Sequence, residues 1–422
     1  MPRALLPEGQ QLEGDALAAM LSATIDNARK AKFFAERFGS ASSAEFAENF
    51  EQIEPVTKDE IWNAGDSARV PCGEWRQFYT GGTTGKAFPY QVSLAEEALY
   101  GAVFKHAFAN LPRKRAARLW DGGQIHGRNI PTPYRFHDFS VYTPGAFGHL
   151  ADTLAGEFDE PAIGPRCEVL VGGERVLKTF ALWAAQRPGL PGWCLGSVIT
   201  FGTCLTSRTR NLLQTVFGGV LIDRYGASEA IGGATECSCS WYHPDPCLIV
   251  EAIAPQGLCS VKEGPGRLLL TPLFPFQQRQ PLIRYDVGDL AEVTHSKSCR
   301  PGELALRPLG RIRNSIIRDD EVLLAEAEIL EALDSVEGVA RLKTLRDCSD
   351  CDPAWPVGAP LFKVDSKTGT VLVQVKHQPQ GKAMALQIED QLAAMTRRRT
   401  GIERSFTIEV TWESAAAPSV AA

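Results

Sequence analysis

The stretch Phe78–Lys86, with the sequence FYTGGTTGK, says most about the fold of this chain. From Thr80 to Lys86 it holds three glycines, three threonines and one lysine. Glycine lets the backbone turn freely, so that N–H groups, hydroxyls and one ammonium can surround a polyphosphate without bulky side chains in the way. The stretch therefore predicts a phosphate-binding loop. An ordinary hairpin loop without a ligand is the alternative that its composition leaves open.

This loop differs from the Walker A phosphate-binding loop. Thr80 stands at the first glycine position, and Ala87 replaces the hydroxyl residue that holds magnesium. No helix begins at Lys86, because the alternating residues of Phe88–Val92 are typical of a strand. A capping box at Ser93–Glu96 (SLAE) then begins a helix. We therefore expect the loop to join two strands.

Further along the chain, short apolar strand candidates alternate with helical stretches, after a helical N-terminus that includes Ala16–Ala31. The clearest are the strands Glu168–Val171 and Ser197–Phe201 and the helices Leu177–Gln186 and Arg208–Phe217. Alternation of this kind predicts an α/β fold built in several layers.

The C-terminal part predicts a second, smaller α/β unit. We expect helices at Leu324–Leu333 and Lys382–Thr396, and strands at Arg341–Leu345, Leu361–Val364, Thr370–Val375 and Ser405–Trp412. Basic residues at Arg397–Arg399 and the glycine at Gly401 are typical of a helix C-terminus. We place the boundary near Gly310–Asn314, which gives a large domain of residues 1–312 and a small domain of residues 313–422.

Composition excludes several classes of protein. The 422 residues are 44% hydrophobic and 22% charged, which is ordinary globular usage. A net charge of -6 does not favour nucleic acid, and Arg113–Arg115 is better explained as a solvated helix end. No apolar run approaches the roughly 18 residues of a membrane helix, and no signal peptide is visible. We expect a cytoplasmic protein whose eleven cysteines are reduced thiols or metal ligands.

Four stretches, in the same order, resemble the motifs of the adenylate-forming superfamily, which contains acyl- and aryl-CoA ligases, luciferases and peptide-synthetase adenylation domains. They are the loop Thr80–Lys86, Asp223–Glu229 (DRYGASE), Pro281–Leu290 (PLIRYDVGDL) and Gly310-Arg311. Phe201–Thr203 (FGT) and Thr235–Cys237 (TEC) are similar to the phenylacetate–CoA ligase branch. The resemblance implies a large multi-layer adenylation domain followed by a small mobile lid domain.

The resemblance also implies a reaction and a set of residues. ATP would activate an aryl or small acyl carboxylic acid as acyl-AMP, and the acyl group would pass to the thiol of CoA or of an acyl carrier protein. The nucleotide would contact Thr80, Gly81, Gly82, Thr83, Thr84, Gly85, Lys86, Gly202, Thr203, Tyr225, Gly226, Ser228, Glu229, Asp289 and Arg311. The groups that assist the chemistry would be Thr80, Lys86, Glu229 and Arg311.

Within this set, three roles are specific. Glu229 would hold Mg²⁺, Tyr225 would lie against adenine, and Asp289 would accept hydrogen bonds from the ribose hydroxyls. The alternatives are a surface acid for Glu229 and a turn between strands for Asp289. The acid would contact His126, His137, Tyr225 and Gly226, although both histidines can equally be ordinary structural residues.

A cluster of metal-ligand residues follows the tyrosine motif. Cys237, Cys239, His243 and Cys247 lie close together in sequence, and Cys299 stands before the second domain. The resemblance implies a structural zinc held by Cys237, His243 and Cys299. Cys247 or Cys239 would complete a tetrahedral site; we take Cys247 as the predicted ligand and keep Cys239 as the alternative. A group of free thiols is the other interpretation.

Two departures from the superfamily pattern keep other functions open. The resemblance implies a catalytic lysine after the last strand, and residues 413–422 contain none; the acidic pair expected after Gly310-Arg311 is replaced by Arg313-Asn314. The first hypothesis is the ligase. The second is an amide synthetase, or a transferase that moves an acyl group between CoA and a carrier without ATP. The third is a pseudoenzyme that binds nucleotide. The sequence leaves a homodimer open.

Overall fold

A computed structural model describes residues 14–80, 88–107, 115–120, 135–160, 163–187, 195–296, 302–341, 357–375, 381–402 and 406–412, with a few residues between these ranges. The helices are α1 Gly14–Ala28, α2 Lys32–Phe38, α3 Ser43–Glu48, α4 Lys58–Ala64, α5 Leu94–Ala107, α6 Ala146–Ala155, α7 Glu174–Ala185, α8 Ser207–Phe217, α9 Glu326–Ser335 and α10 Gly381–Thr400. In the described part of the chain, no helix combines the length and the apolar character needed to cross a membrane.

The strands follow the same chain order. They are β1 Val56–Thr57, β2 Trp75–Tyr79, β3 Pro89–Ser93, β4 Arg115–Trp120, β5 Arg135–Ser140, β6 Val169–Gly173, β7 Ser197–Phe201, β8 Val220–Tyr225, β9 Ala234–Glu236, β10 Tyr242–Pro244, β11 Leu248–Ile253, β12 Gly264–Pro272, β13 Tyr285–Thr294, β14 Ala305–Arg311, β15 Ile316–Arg318, β16 Glu321–Leu324, β17 Phe362–Asp365, β18 Thr370–Val375 and β19 Thr407–Trp412. The predicted α/β class is confirmed.

One large sheet organises the residues up to Arg311, which we call the large unit. Its strand order is β11-β12-β13-β14-β10-β9-β8-β7-β6-β4-β5, and β1 lies beside β13. The strands β5, β4, β6, β7 and β8 are parallel to their neighbours, whereas the pairs from β8 to β11 are antiparallel. The short strands β9 and β10 join these halves. Because the carboxyl ends of parallel strands meet at one edge, loops after β7 and β8 lie together.

Helices cover the two halves of the sheet through separate cores. On the parallel half, Phe147 of α6 and Phe180 of α7 pack with Leu170 of β6. On the antiparallel half, Phe34 of α2 packs in the same core as Tyr285 of β13. The apolar run in β6 is buried on both faces, which is typical of a parallel strand between layers.

The predicted hairpin around the glycine-rich loop is confirmed. Strands β2 and β3 pair antiparallel, with Phe78 opposite Tyr90. The capping box is present at the start of α5, because Ser93 Oγ accepts from the Glu96 N–H at 3.1 Å and Glu96 Oε2 accepts from the Ser93 N–H. Residues 81–87, which form most of the predicted phosphate loop, lie outside the described residues.

The residues from Ile316 to Trp412 form the small unit that the C-terminal sequence predicts. The hairpin β17–β18 is followed by α10, and β19 returns parallel to β18, as a β-α-β connection requires. The predicted strand at 341–345 lies outside the described residues except for Arg341. The domain boundary near Gly310–Asn314 stays a prediction.

A buried ionic network joins the small unit to the large one. Asp334 of α9, whose side chain is 3% exposed, accepts from Lys178 Nζ at 3.1 Å, Arg341 Nη2 at 2.7 Å and Thr206 Oγ1 at 2.6 Å. Burial alone would raise the pKa of Asp334, but Lys178, Thr206 and Arg341 together lower it below its ordinary value. Trp355 adds an apolar contact, because it packs against the core of α6, α7 and α8.

Replacing Asp334 by asparagine should reduce the free energy of unfolding by about 3 kcal/mol, because Lys178 and Arg341 would stay buried without their counter-charge. Urea unfolding at neutral pH measures this loss. The exposed pair Lys262–Glu51 supplies the control, since Glu51→Gln should change stability by less than about 1 kcal/mol. As the folded pKa of Asp334 is depressed, its contribution should persist at neutral pH and disappear as the pH falls through that pKa. Equal effects of the two variants would contradict the assignment.

Candidate functional site

The candidate site lies where the two halves of the large sheet meet. Tyr225 is the last residue of β8, and Gly202 and Thr203 follow β7. Asp289 of β13 lies directly opposite Arg311 of β14 in the antiparallel ladder. Sheet register therefore brings together residues that lie up to 109 positions apart, counted from Gly202 to Arg311.

A buried carboxylate forms the centre of this group. Tyr225 Oη donates to Asp289 Oδ2 at 2.9 Å, and Arg311 Nε lies 3.0 Å from Asp289 Oδ1. Arg311 is held in turn by donating from Nη1 to the Val287 carbonyl at 2.7 Å. Each oxygen of Asp289 thus has a fixed partner.

Burial dominates the electrostatics of Asp289. It raises the pKa of Asp289 to about 6, although Arg311 and the Tyr225 hydroxyl both favour the ionised form. The Tyr225 hydroxyl has a pKa well above its ordinary value, because it is buried and faces the Asp289 carboxylate. Tyr225 therefore stays protonated and donates a hydrogen bond to Asp289.

A second carboxylate lies in the segment between β8 and β9. Glu229 Oε1 accepts from the fully buried Tyr285 hydroxyl at 2.8 Å, and the Glu229 carbonyl accepts from Gln277 Nε2 at 3.2 Å. These bonds fix both the side chain and the backbone of Glu229. A fixed carboxylate is the hard oxygen ligand that Mg²⁺ prefers.

The end of β14 requires a glycine. Gly310 has a φ of +91°, and a Cβ at this position would lie 2.5 Å from Glu326 Oε2. Glu326 of α9 accepts from the Arg311 N–H and, through Oε1, from Asn314 Nδ2 at 2.6 Å. The small unit therefore holds the backbone of Arg311, which in turn contacts Asp289.

The other predicted nucleotide-binding residues are distributed as follows. Thr80 is buried, and its Oγ1 accepts from the Phe88 N–H at 3.0 Å. Thr203 Oγ1 donates to Glu174 Oε2 at 2.9 Å. Four of the predicted residues that the structure describes are exposed: Gly202, Thr203, Gly226 and Ser228. The predicted residues outside the described part are Gly81, Gly82, Thr83, Thr84, Gly85, Lys86 and His126.

His137 lies in a different environment from the carboxylates. Its Nε2 is 3.0 Å from Nη1 of the buried Arg115, and its ring centroid is 4.8 Å from that of Phe158. Arg115 begins β4 and also binds Glu160, so these contacts lie at the amino end of the parallel strands. The structure thus gives His137 a structural partner, and its contact with a substrate stays a prediction.

Four potential metal ligands come together at the ends of β9, β10 and β14. The sulfurs of Cys237, Cys239 and Cys299 all lie within 4.8 Å of one another, and His243 Nε2 is 3.4 Å from Cys299 Sγ. Cys237 and Cys299 are separated by 3.8 Å, close to the spacing of about 3.8 Å expected for two sulfurs about 2.3 Å from one tetrahedral zinc ion. Burial and Arg300 lower the pKa of His243, which favours the neutral imidazole that binds metal.

The structure places Cys239, and not the predicted Cys247, in this group. Cys247 is fully buried in the apolar core and packs against Gly232, where a Cβ would lie 2.8 Å from its sulfur. Spacing in the sequence could not show which of the two cysteines joins the group, because both lie close to Cys237. In the structure, Cys239 lies in the turn between β9 and β10, whereas Cys247 leads into β11.

Two residues of the site were not assigned from the sequence. Tyr285 lies inside the Pro281–Leu290 motif, and its hydroxyl is the feature from which a polar contact could have been predicted. Glu326 lies in the first turn of α9, where an acidic residue is ordinary, so no local pattern marks its bond to Arg311.

Comparison with known proteins identifies the fold. No protein-family model and no curated protein matches the chain. Among solved structures, an open conformation of 2-hydroxyisobutyryl-CoA ligase in complex with 2-HIB-AMP and CoA aligns with a TM-score of 0.62 at 15% identity, over 96% of this chain and 89% of that one. The anthranilate CoA ligase AuaEII in complex with anthranoyl-AMP gives 0.52 at 14% identity, over 81% and 64%.

ATP-bound MatB from Rhodopseudomonas palustris aligns with a TM-score of 0.51 at 15% identity, over 79% of this chain and 63% of that one. The first two of these three proteins are CoA ligases, and the alignment with the first spans both units of this chain. This chain therefore shares its fold with these CoA-ligase structures.

Proposed function

We propose that this protein is an ATP-dependent ligase that activates a carboxylic acid as acyl-AMP and passes the acyl group to a thiol. The observation that carries this proposal is the group formed by Tyr225, Asp289 and Arg311 beside the fixed carboxylate of Glu229. A buried acceptor for ribose hydroxyls next to a metal-binding carboxylate is what a bound nucleoside polyphosphate requires.

The similar structures support the same chemistry. The 2-hydroxyisobutyryl-CoA ligase binds its acyl-AMP and CoA, AuaEII binds anthranoyl-AMP, and MatB binds ATP. We therefore favour CoA as the acceptor thiol, with an acyl carrier protein as the alternative. An aryl acid and a place in the phenylacetate–CoA ligase branch rest on the sequence resemblance alone.

The reaction has two balanced steps. A carboxylate oxygen of the acid attacks the α-phosphorus of ATP, and the bond to pyrophosphate breaks. The thiol then loses its proton to solvent, its sulfur attacks the acyl carbon, and AMP leaves with the electron pair of the acyl C–O bond. Asp289 would orient the ribose, Tyr225 would lie against the adenine, and Glu229 would hold Mg²⁺. When bound, Mg²⁺ supplies positive charge for the phosphate oxygens. Preorganised donors, including Thr80 and Lys86 of the glycine-rich loop, would stabilise the charge that develops there.

A structural zinc ion fits the group of Cys237, Cys239, His243 and Cys299. Three thiols within 4.8 Å of one another would repel as thiolates unless a cation lay between them. With four protein ligands such a site has no open position for substrate. Its role would be to hold the ends of β9, β10 and β14 together.

Release of pyrophosphate tests the proposed function. With a panel of aryl and short aliphatic acids, the wild-type protein should release pyrophosphate from ATP, and adding CoA should consume the acyl-AMP. Glu229→Gln should lower the rate by roughly 10²-fold, because an uncharged amide binds Mg²⁺ poorly. Glu157→Gln, in an exposed pair with Arg166, is the matched control and should leave the rate unchanged.

Two other outcomes would replace the ligase. Acyl transfer from a CoA thioester without any nucleotide would indicate an acyltransferase of the same fold. Thermal stabilisation by ATP, with no turnover for any acid, amine or thioester, would indicate a nucleotide-binding pseudoenzyme.

Adenosine binding should depend on the ionisation of Asp289. Because its pKa is about 6, affinity for adenosine should fall as the pH drops through about 6 and the carboxyl loses acceptor capacity. Tyr225→Phe removes a donor that favours the ionised form, so the fall should begin at higher pH. Tyr242→Phe is the control, since its hydroxyl donates to Asp223. Calorimetric titration measures the midpoint, and an identical midpoint in all three proteins would contradict the role of Tyr225.

Zinc content should show whether Cys239 or Cys247 is the fourth ligand. The purified protein should hold about one zinc ion per chain, measured by elemental analysis. Cys239→Ser should lose zinc to a chelator, whereas Cys247→Ala should retain it because Cys247 lies in the apolar core. Loss of zinc only in Cys247→Ala would restore the sequence-based ligand set.

A further inference from the structure

Lys58 lies beside the candidate site although it comes from the N-terminal helices. Strand β1 pairs in parallel with β13, with Val56 opposite Tyr285 and Thr57 opposite Asp286. Lys58 follows immediately as the first residue of α4. Thr57 Oγ1 accepts from the Glu60 N–H at 3.2 Å, and Glu60 Oε2 accepts from the Thr57 N–H at 2.7 Å, so a capping box fixes the start of this helix.

The side chain of Lys58 lies against the base of the glycine-rich loop. Its Nζ is 5.2 Å from the centroid of the Phe88 ring, within the range of a cation–π contact. Phe88 is 1% exposed, and its N–H donates to Thr80 Oγ1. Thr80 and Phe88 are the residues on either side of the loop 81–87. The ammonium therefore lies close to the two residues that flank that loop.

The charges around Lys58 come from the same site. The carboxylates of Glu229 and of the neighbouring Asp59 act favourably on the ammonium. The guanidinium groups of Arg311 and Arg313 act against it. Burial is the largest influence and lowers the pKa of Lys58. Within the described part of the chain, no carboxylate lies within ion-pair distance of Nζ. A half-buried ammonium near two arginines, with both of these acids beyond ion-pair distance, lacks a close anion.

We propose that Lys58 binds the phosphate oxygens of the nucleotide, beside the Mg²⁺ ligand Glu229, as a phosphate-binding residue contributed by the N-terminal helices. This rests on the proposed function, because it requires a nucleoside polyphosphate in the site. An ammonium is a compact charge with three donors and suits phosphate oxygens. In the adenylation step it would neutralise charge that moves onto the leaving pyrophosphate when the bond to the α-phosphorus breaks.

Binding of ATP and of adenosine by the same variants tests the proposal. Lys58→Met keeps an unbranched apolar chain over Phe88 and removes the charge. We expect it to weaken ATP binding by roughly 10-fold and to lower pyrophosphate release by roughly 10²-fold. Adenosine has no phosphate, so its affinity should stay unchanged. Lys58→Arg should recover much of the ATP affinity. A structural role of Lys58 would instead weaken both ligands, and arginine would not restore ATP alone.

Lys30 offers a matched control elsewhere on the N-terminal helices. Its Nζ lies 6.0 Å from the centroid of the Phe274 ring, a comparable contact, and it is exposed. Lys30→Met should leave ATP binding and pyrophosphate release unchanged. If Lys58→Met also binds ATP and adenosine as the wild type does, the proposal for Lys58 is overturned while the ligase function stands.

The two proposals fail in different ways. If the wild type binds ATP but activates no acid, the ligase proposal fails, and the ATP and adenosine affinities of Lys58→Met still decide the role of Lys58. A further arm with AMP locates the contact: weaker binding of ATP alone assigns Lys58 to the β- and γ-phosphates, and weaker binding of both assigns it to the α-phosphate. Each of these two results supports the proposal.

Discussion

The buried carboxylate of Asp289 imposes the arrangement of the rest of the site. A carboxylate removed from water is costly unless donors and a counter-charge surround it. Tyr225 and Arg311 supply these, and each is fixed by the backbone: Tyr225 ends a parallel strand, whereas Arg311 faces Asp289 across an antiparallel ladder. The carboxylate thus receives one partner from each half of the sheet, Tyr225 from the parallel half and Arg311 from the antiparallel half.

The junction itself is held by short strands whose side chains are largely polar. Tyr242 of β10 donates to Asp223 of β8 at 2.6 Å, and Arg224 of β8 pairs with Asp245 beyond β10 at 2.7 Å. Strands of three residues make few ladder hydrogen bonds, so such buried pairs fix their register. The cysteine and histidine group lies at the outer ends of the same strands. A metal ion there would close the junction on the side away from Asp289.

The sequence predicted local structure well and long-range contacts only where a motif carried them. The hairpin around residues 81–87, the capping box at Ser93 and the strand Ser197–Phe201 follow from patterns of neighbouring residues, and all are present. The bond between Tyr285 and Glu229 depends on the packing of β13 against a loop 56 residues away. Likewise, the position of Lys58 depends on the parallel pairing of β1 with β13, which cannot be predicted from a strand of two residues.

The small unit contacts the site through one helix, α9. Its α9 supplies Glu326, which holds the backbone of Arg311, and Asp334, which is buried against Lys178 of the large unit. Any movement of this unit that separated Asp334 from Lys178 would have to offset the loss of this buried ion pair. A ligand that drove such a movement would have to bind the moved state more tightly than the observed one by that free energy. The network that makes this arrangement stable thus also sets the differential affinity that any second arrangement demands.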